Sequence, residues 1–252
     1  MKRFGLALTV AAGLLAAPLA ASDLTGLTDD ERAAFRNEVR AYLLENPEVL
    51  MEAIEVLERR NAAEQVANDG ALVAHNAEEL FNDGFSHVTG NPDGDITMVE
   101  FVDYRCGYCR KAFPELKELI KTDGNIRVIY KEFPILGEES TLTSRFAISA
   151  QLLAGQEAYG QIHDAMMVMR GNATPETLVT LAGSLGLDGA AILDGMSNPR
   201  VDEIIGQNHL LAQRMQISGT PTFVMEDQLL RGYVPLDGMQ QIVAELRAAK
   251  DG

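Results

Sequence analysis

Ile96-Thr97-Met98-Val99-Glu100-Phe101-Val102-Asp103-Tyr104-Arg105-Cys106-Gly107-Tyr108-Cys109 carries an apolar run straight into a pair of cysteines. Only Thr97 and Glu100 break the run, which reads as a buried strand. A turn cluster, Asn91-Pro92-Asp93-Gly94-Asp95, precedes it. Behind it, Arg110 to Lys121 reads as a helix containing Pro114, and Ile126 to Tyr130 as a second strand. Strand, helix and strand in that order predict a parallel pair with a right-handed crossover, and so an α/β fold.

The chain has 252 residues and no cysteine besides Cys106 and Cys109. Within the chain these two pair only with each other. A ring enclosing just Gly107 and Tyr108 restricts the unfolded chain little, which argues against a structural staple. A dithiol that opens and closes, or a two-thiolate metal site, accounts better for the spacing. At a strand-to-helix junction Cys106 sits at the helix N-terminus, where backbone N–H groups and the helix dipole favour a thiolate. Cysteines in such settings have pKa values of roughly 3.5 to 7.5. Cys106 is then the exposed nucleophile, and Cys109, one turn inside, is the thiol that resolves a mixed disulfide.

The start of the chain reads as a cleaved secretory signal over residues 1–21. Lys2 and Arg3 are followed by an uncharged apolar segment, Phe4 to Ala17, and then by small residues from Pro18 to Ser22. That segment is too short to span a bilayer as a helix. Export to an oxidising periplasm follows, where disulfides persist. The formal charge of −16 leaves no basic stripe for phosphates, so a nucleic-acid partner is excluded.

Residues 22–84 read as an N-terminal helical segment with little core of its own. Thr28 and Glu31 form a capping box ahead of Phe35, Val39, Tyr42 and Leu43. Asn46 and Pro47 restart a helix with Val49, Leu50, Ile54 and Leu57 along one stripe. Such stripes must pack on the main domain or on a second copy. Five further helices are expected over about 138–215, broken at Gly155, Gly171 and Gly186. A hairpin is expected from Thr222–Met225 and Leu229–Tyr233, then a closing helix over Leu236–Lys250.

Val99 to Cys109 closely resembles the active site of the DsbA-type thioredoxin-fold family. Gly219-Thr220-Pro221-Thr222-Phe223 resembles the loop that carries that family's cis-proline. The resemblance spans residues 85–252 and implies a thioredoxin fold whose helical insertion is the stretch at about 138–215. It implies that Pro221 is cis and leaves the Thr220 backbone free to hold an extended client, with Gly107 and Tyr108 at the same mouth. It makes Glu100 the buried acid that takes the Cys109 proton, Lys131 that acid's partner, and Pro114 a kinking residue. Gly107-Tyr108 with Thr220-Pro221 looks like the isomerase and ScsC-type branches, and the ScsC-type members carry an N-terminal helical oligomerising segment that residues 24–84 resemble.

The implied activity is thiol–disulfide exchange on exported, cysteine-containing proteins, leaning to isomerisation or reduction. The implied assembly is a homo-oligomer, dimer or trimer, reset by a membrane redox partner, and no cofactor is expected. Disulfide donation of the DsbA type is the alternative, and copper(I) binding by two soft thiolates is another. His75, His87, His163 and His209 are scattered and read as surface or packing residues. Met166, Met167 and Met169 read as core.

Overall fold

The computed structural model describes residues 26–251. The expected signal segment, 1–21, lies outside the described residues. The chain divides into two compact units between Arg59 and Arg60, so the helical segment read over 22–84 contributes to both.

The first unit contains α1, Asp29–Glu45, and the first part of α2, Glu48–His75. The capping box forms as read: Thr28 N donates to Glu31 Oε2 at 2.9 Å and Glu31 N donates to Thr28 Oγ1 at 3.4 Å. Asn46 differs from its expected role as a side-chain cap of the second helix. Its side-chain amide donates to Tyr42 O at 2.8 Å and closes α1, while its carbonyl accepts from Val49 N. No side chain of α1 is buried, and Phe35, Tyr42, Leu50, Met51, Ile54 and Leu57 are exposed.

The second unit holds a five-stranded sheet in the order β1-β3-β2-β4-β5. Its strands are β1 His87–Gly90, β2 Ile96–Val102, β3 Ile126–Glu132, β4 Thr222–Met225 and β5 Gln228–Arg231. β2 and β3 are parallel, joined through α4, Gly107–Asp123, and the other pairings are antiparallel. Successive side chains of a strand face opposite ways, and here both faces are covered. Met98 and Val102 pack with α4, with α5 (Glu138–Val168) and with α9 (Leu236–Asp251). Val99 and Phe101 pack with Val73 of α2, with Leu80 of α3 (Ala77–Phe81), and with Leu211 and Met215 near the end of α8 (Pro199–Arg214). Burial on both faces is why β2 reads as a nearly continuous apolar run.

Between β3 and β4 stand α5, α6 (Pro175–Ser184), α7 (Gly189–Gly195) and α8. Two of the five expected helices meet in α5, across a kink at Gly155 with φ 85°. The hairpin turns on Glu226 and Asp227, and Gln228 already pairs with Met225 in β5. The edge strand β1 carries no apolar alternation and escapes a reading by pattern. It ends at Gly90 with φ 76°, where a Cβ would stand 2.3 Å from Ile126 O.

Candidate redox site

Cys106 is the N-cap residue of α4, with extended φ −74° and ψ 117°, and Cys109 lies in the first turn. The junction is held by Asp103, which is fully buried. Its Oδ1 accepts from Arg105 N at 2.8 Å, and its Oδ2 accepts from Ile135 N and Leu136 N at 2.9 and 3.2 Å. Asp103 thus ties the cysteine turn to the segment after β3. An aspartate between a buried strand and a helix start is a turn-former, but nothing in the sequence located its long-range partners.

Both cysteines carry free thiols. Cys106, expected to be exposed, is buried at 7 % exposure by the cis-proline loop that closes over it, and Cys109 is at 0 %. The Cys106 thiol is brought down to about 5, first by the hydrogen bond that Cys109 offers its thiolate. The backbone N–H groups of Cys109 and Tyr108 act in the same direction, against the opposing effect of burial. Cys109 goes strongly the other way, through burial first, then its hydrogen bond to Cys106 and the nearby Glu100 charge. One thiol is ready to ionise and the other keeps its proton until that proton is removed.

The peptide bond Thr220–Pro221 is cis. The loop brings Thr220 O to 3.1 Å from Cys106 Sγ, which donates to it. Thr222 Oγ1 closes the same loop on Gly219 O at 2.8 Å. Beside the cysteines, Tyr108 is exposed and its ring stacks on Tyr233 with centroids 6.2 Å apart. Lys111 Nζ stands 4.2 Å over the Tyr233 ring, and Tyr233 OH donates to Glu115 at 2.6 Å. A side chain at Gly107 would meet no heavy atom within 4 Å, so the mouth is open there.

Glu100 lies in β2, 2 % exposed, opposite Tyr130 in the parallel register. Burial, then the charges of Cys106 and Glu132, push its carboxyl up to about 8. Its Oε1 has no hydrogen-bond partner among the described residues. The expected Glu100–Lys131 pairing is corrected by the structure. Lys131 stands opposite Phe101, one position out of step with Glu100, and so faces the other side of the sheet. There it is fully buried, paired with Asp83, and donates to Glu79 O at 2.6 Å.

A second group of buried polar side chains was not anticipated. Glu132 accepts from Tyr104 OH at 2.6 Å, from Ser144 Oγ at 2.6 Å and from Tyr159 OH. Burial raises this carboxyl to about 7 against those three donors. Tyr104 OH also lies 3.0 Å from Nδ1 of His163. His163 and His87 are interior, which is the packing alternative of the sequence reading. Their scatter in the sequence left surface and interior undecided, because only the packing of α5 on β1 and β3 brings them into one cluster.

Comparison with known proteins places these features. Residues 97–244 match the family model described as a DSBA-like thioredoxin domain, and residues 31–64 match the copper resistance protein ScsC N-terminal domain. A thioredoxin-like oxidoreductase structure from Silicibacter pomeroyi is 41 % identical, with TM-score 0.63, covering 68 % of this chain and 97 % of that one. A linker-deletion variant of ScsC from Proteus mirabilis is 26 % identical, with TM-score 0.66, covering 89 % of this chain and 98 % of that one. Among curated sequences, the sodium/proton antiporter NhaA 3 of Salinispora tropica is 27 % identical over 62 % of this chain. The chain spans only 24 % of that relative's length. With more than half its length matched, together with the cysteine turn and the cis-proline loop, the chain belongs to the DSBA-like thioredoxin-domain family.

Proposed function

We propose that this protein is a periplasmic thiol–disulfide oxidoreductase of exported proteins, working through Cys106-Gly107-Tyr108-Cys109 and favouring isomerisation or reduction. The Cys106 thiolate attacks a client disulfide, forming a mixed disulfide and releasing one client sulfur as a thiolate. In reshuffling, another client thiolate then displaces Cys106. In net reduction, Cys109 gives its proton to Glu100 and attacks Cys106 Sγ, closing the Cys106–Cys109 disulfide and freeing the client as a second thiolate. A membrane redox partner would return the pair to the dithiol. The observation that carries this reading is the asymmetric pair: a Cys106 thiol brought down to about 5 beside the cis-proline loop, against a buried Cys109 held protonated.

Support for periplasmic action comes from residues 1–21, which read as a signal. Support for an oligomer comes from the ScsC-type match and the exposed apolar side chains of α1 and the start of α2.

The test is recovery of activity by a client protein refolded from scrambled disulfides. Wild type should accelerate it, and Cys106→Ser should lose that effect while still folding. Failure to reshuffle, with rapid oxidation of a reduced peptide by the disulfide form, would replace this reading by disulfide donation. Copper(I) binding draws its support from the name of the N-terminal family model. Among the described residues, no group of three or more His, Cys, Asp or Glu side chains is placed to hold a metal.

A further inference from the structure

A proton placed on Glu100 would lie in a region closed to water, since Glu100 is 2 % exposed and Cys109 fully buried. Among the described residues four buried polar side-chain atoms have no hydrogen-bond partner: Ser140 Oγ at the start of α5 and, closer to the cysteines, the three atoms Glu100 Oε1, Tyr130 OH and His163 Nε2. Buried polar groups are nearly always satisfied by protein or by ordered water. The side chains of the latter three are adjacent, although none of the three atoms is within hydrogen-bond distance of another. Tyr130 is opposite Glu100 in the strand register, and its ring stacks on His163 with centroids 4.1 Å apart. Tyr130 and His163 also line a cleft of about 340 Å³, together with His87, Lys117, Gln156 and Asp164.

The proton positions follow from the neighbours. Tyr104 has one hydroxyl proton, and it goes to Glu132 at 2.6 Å. Its 3.0 Å contact with His163 Nδ1 is then made by Nδ1–H donating to the Tyr104 oxygen. Burial holds His163 down at about 3, so the ring is neutral and Nε2 is a bare acceptor. Tyr130 OH is both donor and acceptor.

We propose that Tyr130 and His163 form the route by which the Cys109 proton, taken up by Glu100, reaches solvent at the cleft. This rests on the redox reading above. As Cys109 Sγ bonds to Cys106 Sγ and the client sulfur leaves as a thiolate, the Cys109 proton moves to the Glu100 carboxylate. Glu100 then releases a proton through bridging water to the Tyr130 hydroxyl, which passes its own to water held by His163 Nε2, and the excess proton enters bulk water. Tyr130 and His163 are positioning residues that act through Glu100. The charged and titratable groups facing this path are Cys106, Cys109 and Lys117 on α4, Glu132 on β3, and Tyr104 after β2. Tyr159 and Asp164 on α5 and His87 on β1 complete the set.

The experiment measures, across pH, the rate at which a peptide held in mixed disulfide on Cys106 is released by Cys109. Wild type, Tyr130→Phe, Glu100→Gln and the double variant are compared. Tyr130→Phe removes only an unpartnered hydroxyl and should slow release roughly tenfold near neutral pH. It should enlarge the solvent deuterium effect while leaving the Cys106 thiolate titration and the melting temperature unchanged. In the Glu100→Gln background it should cause no further loss, and His163→Gln should reproduce the slowing. Wild-type release by Tyr130→Phe at all pH values overturns the route, as does equal slowing in both backgrounds. If Glu100→Gln slows release and Tyr130→Phe does not, only the route falls. If Glu100→Gln itself changes nothing, the acid's role falls and the route with it.

Discussion

Glu100 and Cys106 are perturbed in opposite senses, and this makes the site visible in stability as well as in rate. The Glu100 carboxyl, ordinarily near 4.5, is held up to about 8, chiefly by burial. A raised acid contributes stability that is fully present below its unfolded pKa and is lost as pH rises through its folded pKa. Glu132, raised to about 7, acts in the same sense. In the disulfide form, where the cysteines do not titrate and the Cys106 charge is gone, burial and Glu132 still hold Glu100 up, so stability should fall as pH rises above about 5. Glu100→Gln should remove about 1.4 kcal/mol per pH unit of that slope, leaving the part due to Glu132. Urea unfolding of both proteins across this range measures it, and parallel curves would contradict the burial of an ionisable Glu100. In the dithiol form Cys106 works against this slope. Its thiol is lowered from 9.0 to about 5, so its contribution is present above pH 9 and lost as pH falls through 5.

At the scale of elements, the ion pair between Lys131 of β3 and Asp83 fastens the segment after α3 to the face of the sheet opposite Glu100. Lys131 is entirely enclosed, with Glu79 O as a second acceptor and the Phe85 ring 5.5 Å from Nζ. Asp83 also accepts from Phe85 N, Ser86 N and Ser86 Oγ. Removing the carboxylate strands a buried ammonium, so Asp83→Ala should cost about 3–5 kcal/mol. Lys131→Met should cost less, because Asp83 keeps three donors. Neither change should alter disulfide exchange at Cys106 in the folded protein, since Lys131 faces away from Glu100. Urea midpoints with exchange rates check this pair, and a fully folded Lys131→Met without exchange activity would return the lysine to the site.

At the scale of the molecule, the first unit exposes Phe35, Tyr42, Leu50, Met51, Ile54 and Leu57 on helices with almost no buried side chain of their own. Association of copies through these residues is the expected outcome of burying them. Light scattering should give a mass two or three times that of the chain. Replacement of Leu50, Ile54 and Leu57 by glutamate should reduce it to a monomer with an intact Cys106 thiolate. A wild-type monomer, or reshuffling activity unchanged in the glutamate variant, would separate the helical segment from isomerisation.

Local pattern alone determined β2, α4, β3, the closing helix, the capping box at Thr28 and the identity of the cysteine turn. These depend on periodicity and on residues a few positions apart, which a sequence displays directly. Only the tertiary structure decided which face each strand residue takes. The β2–β3 register sets Glu100 against Tyr130 and sends Lys131 to the opposite side, and a one-residue difference in pairing reverses every face. It also decided that Asp103 reaches Ile135 and Leu136, and that His163 on α5 meets Tyr130 on β3 and Tyr104 after β2. Burial and long-range pairing, which shift the pKa values of Glu100, Glu132 and His163, arise from contacts between distant segments and leave no mark in local sequence.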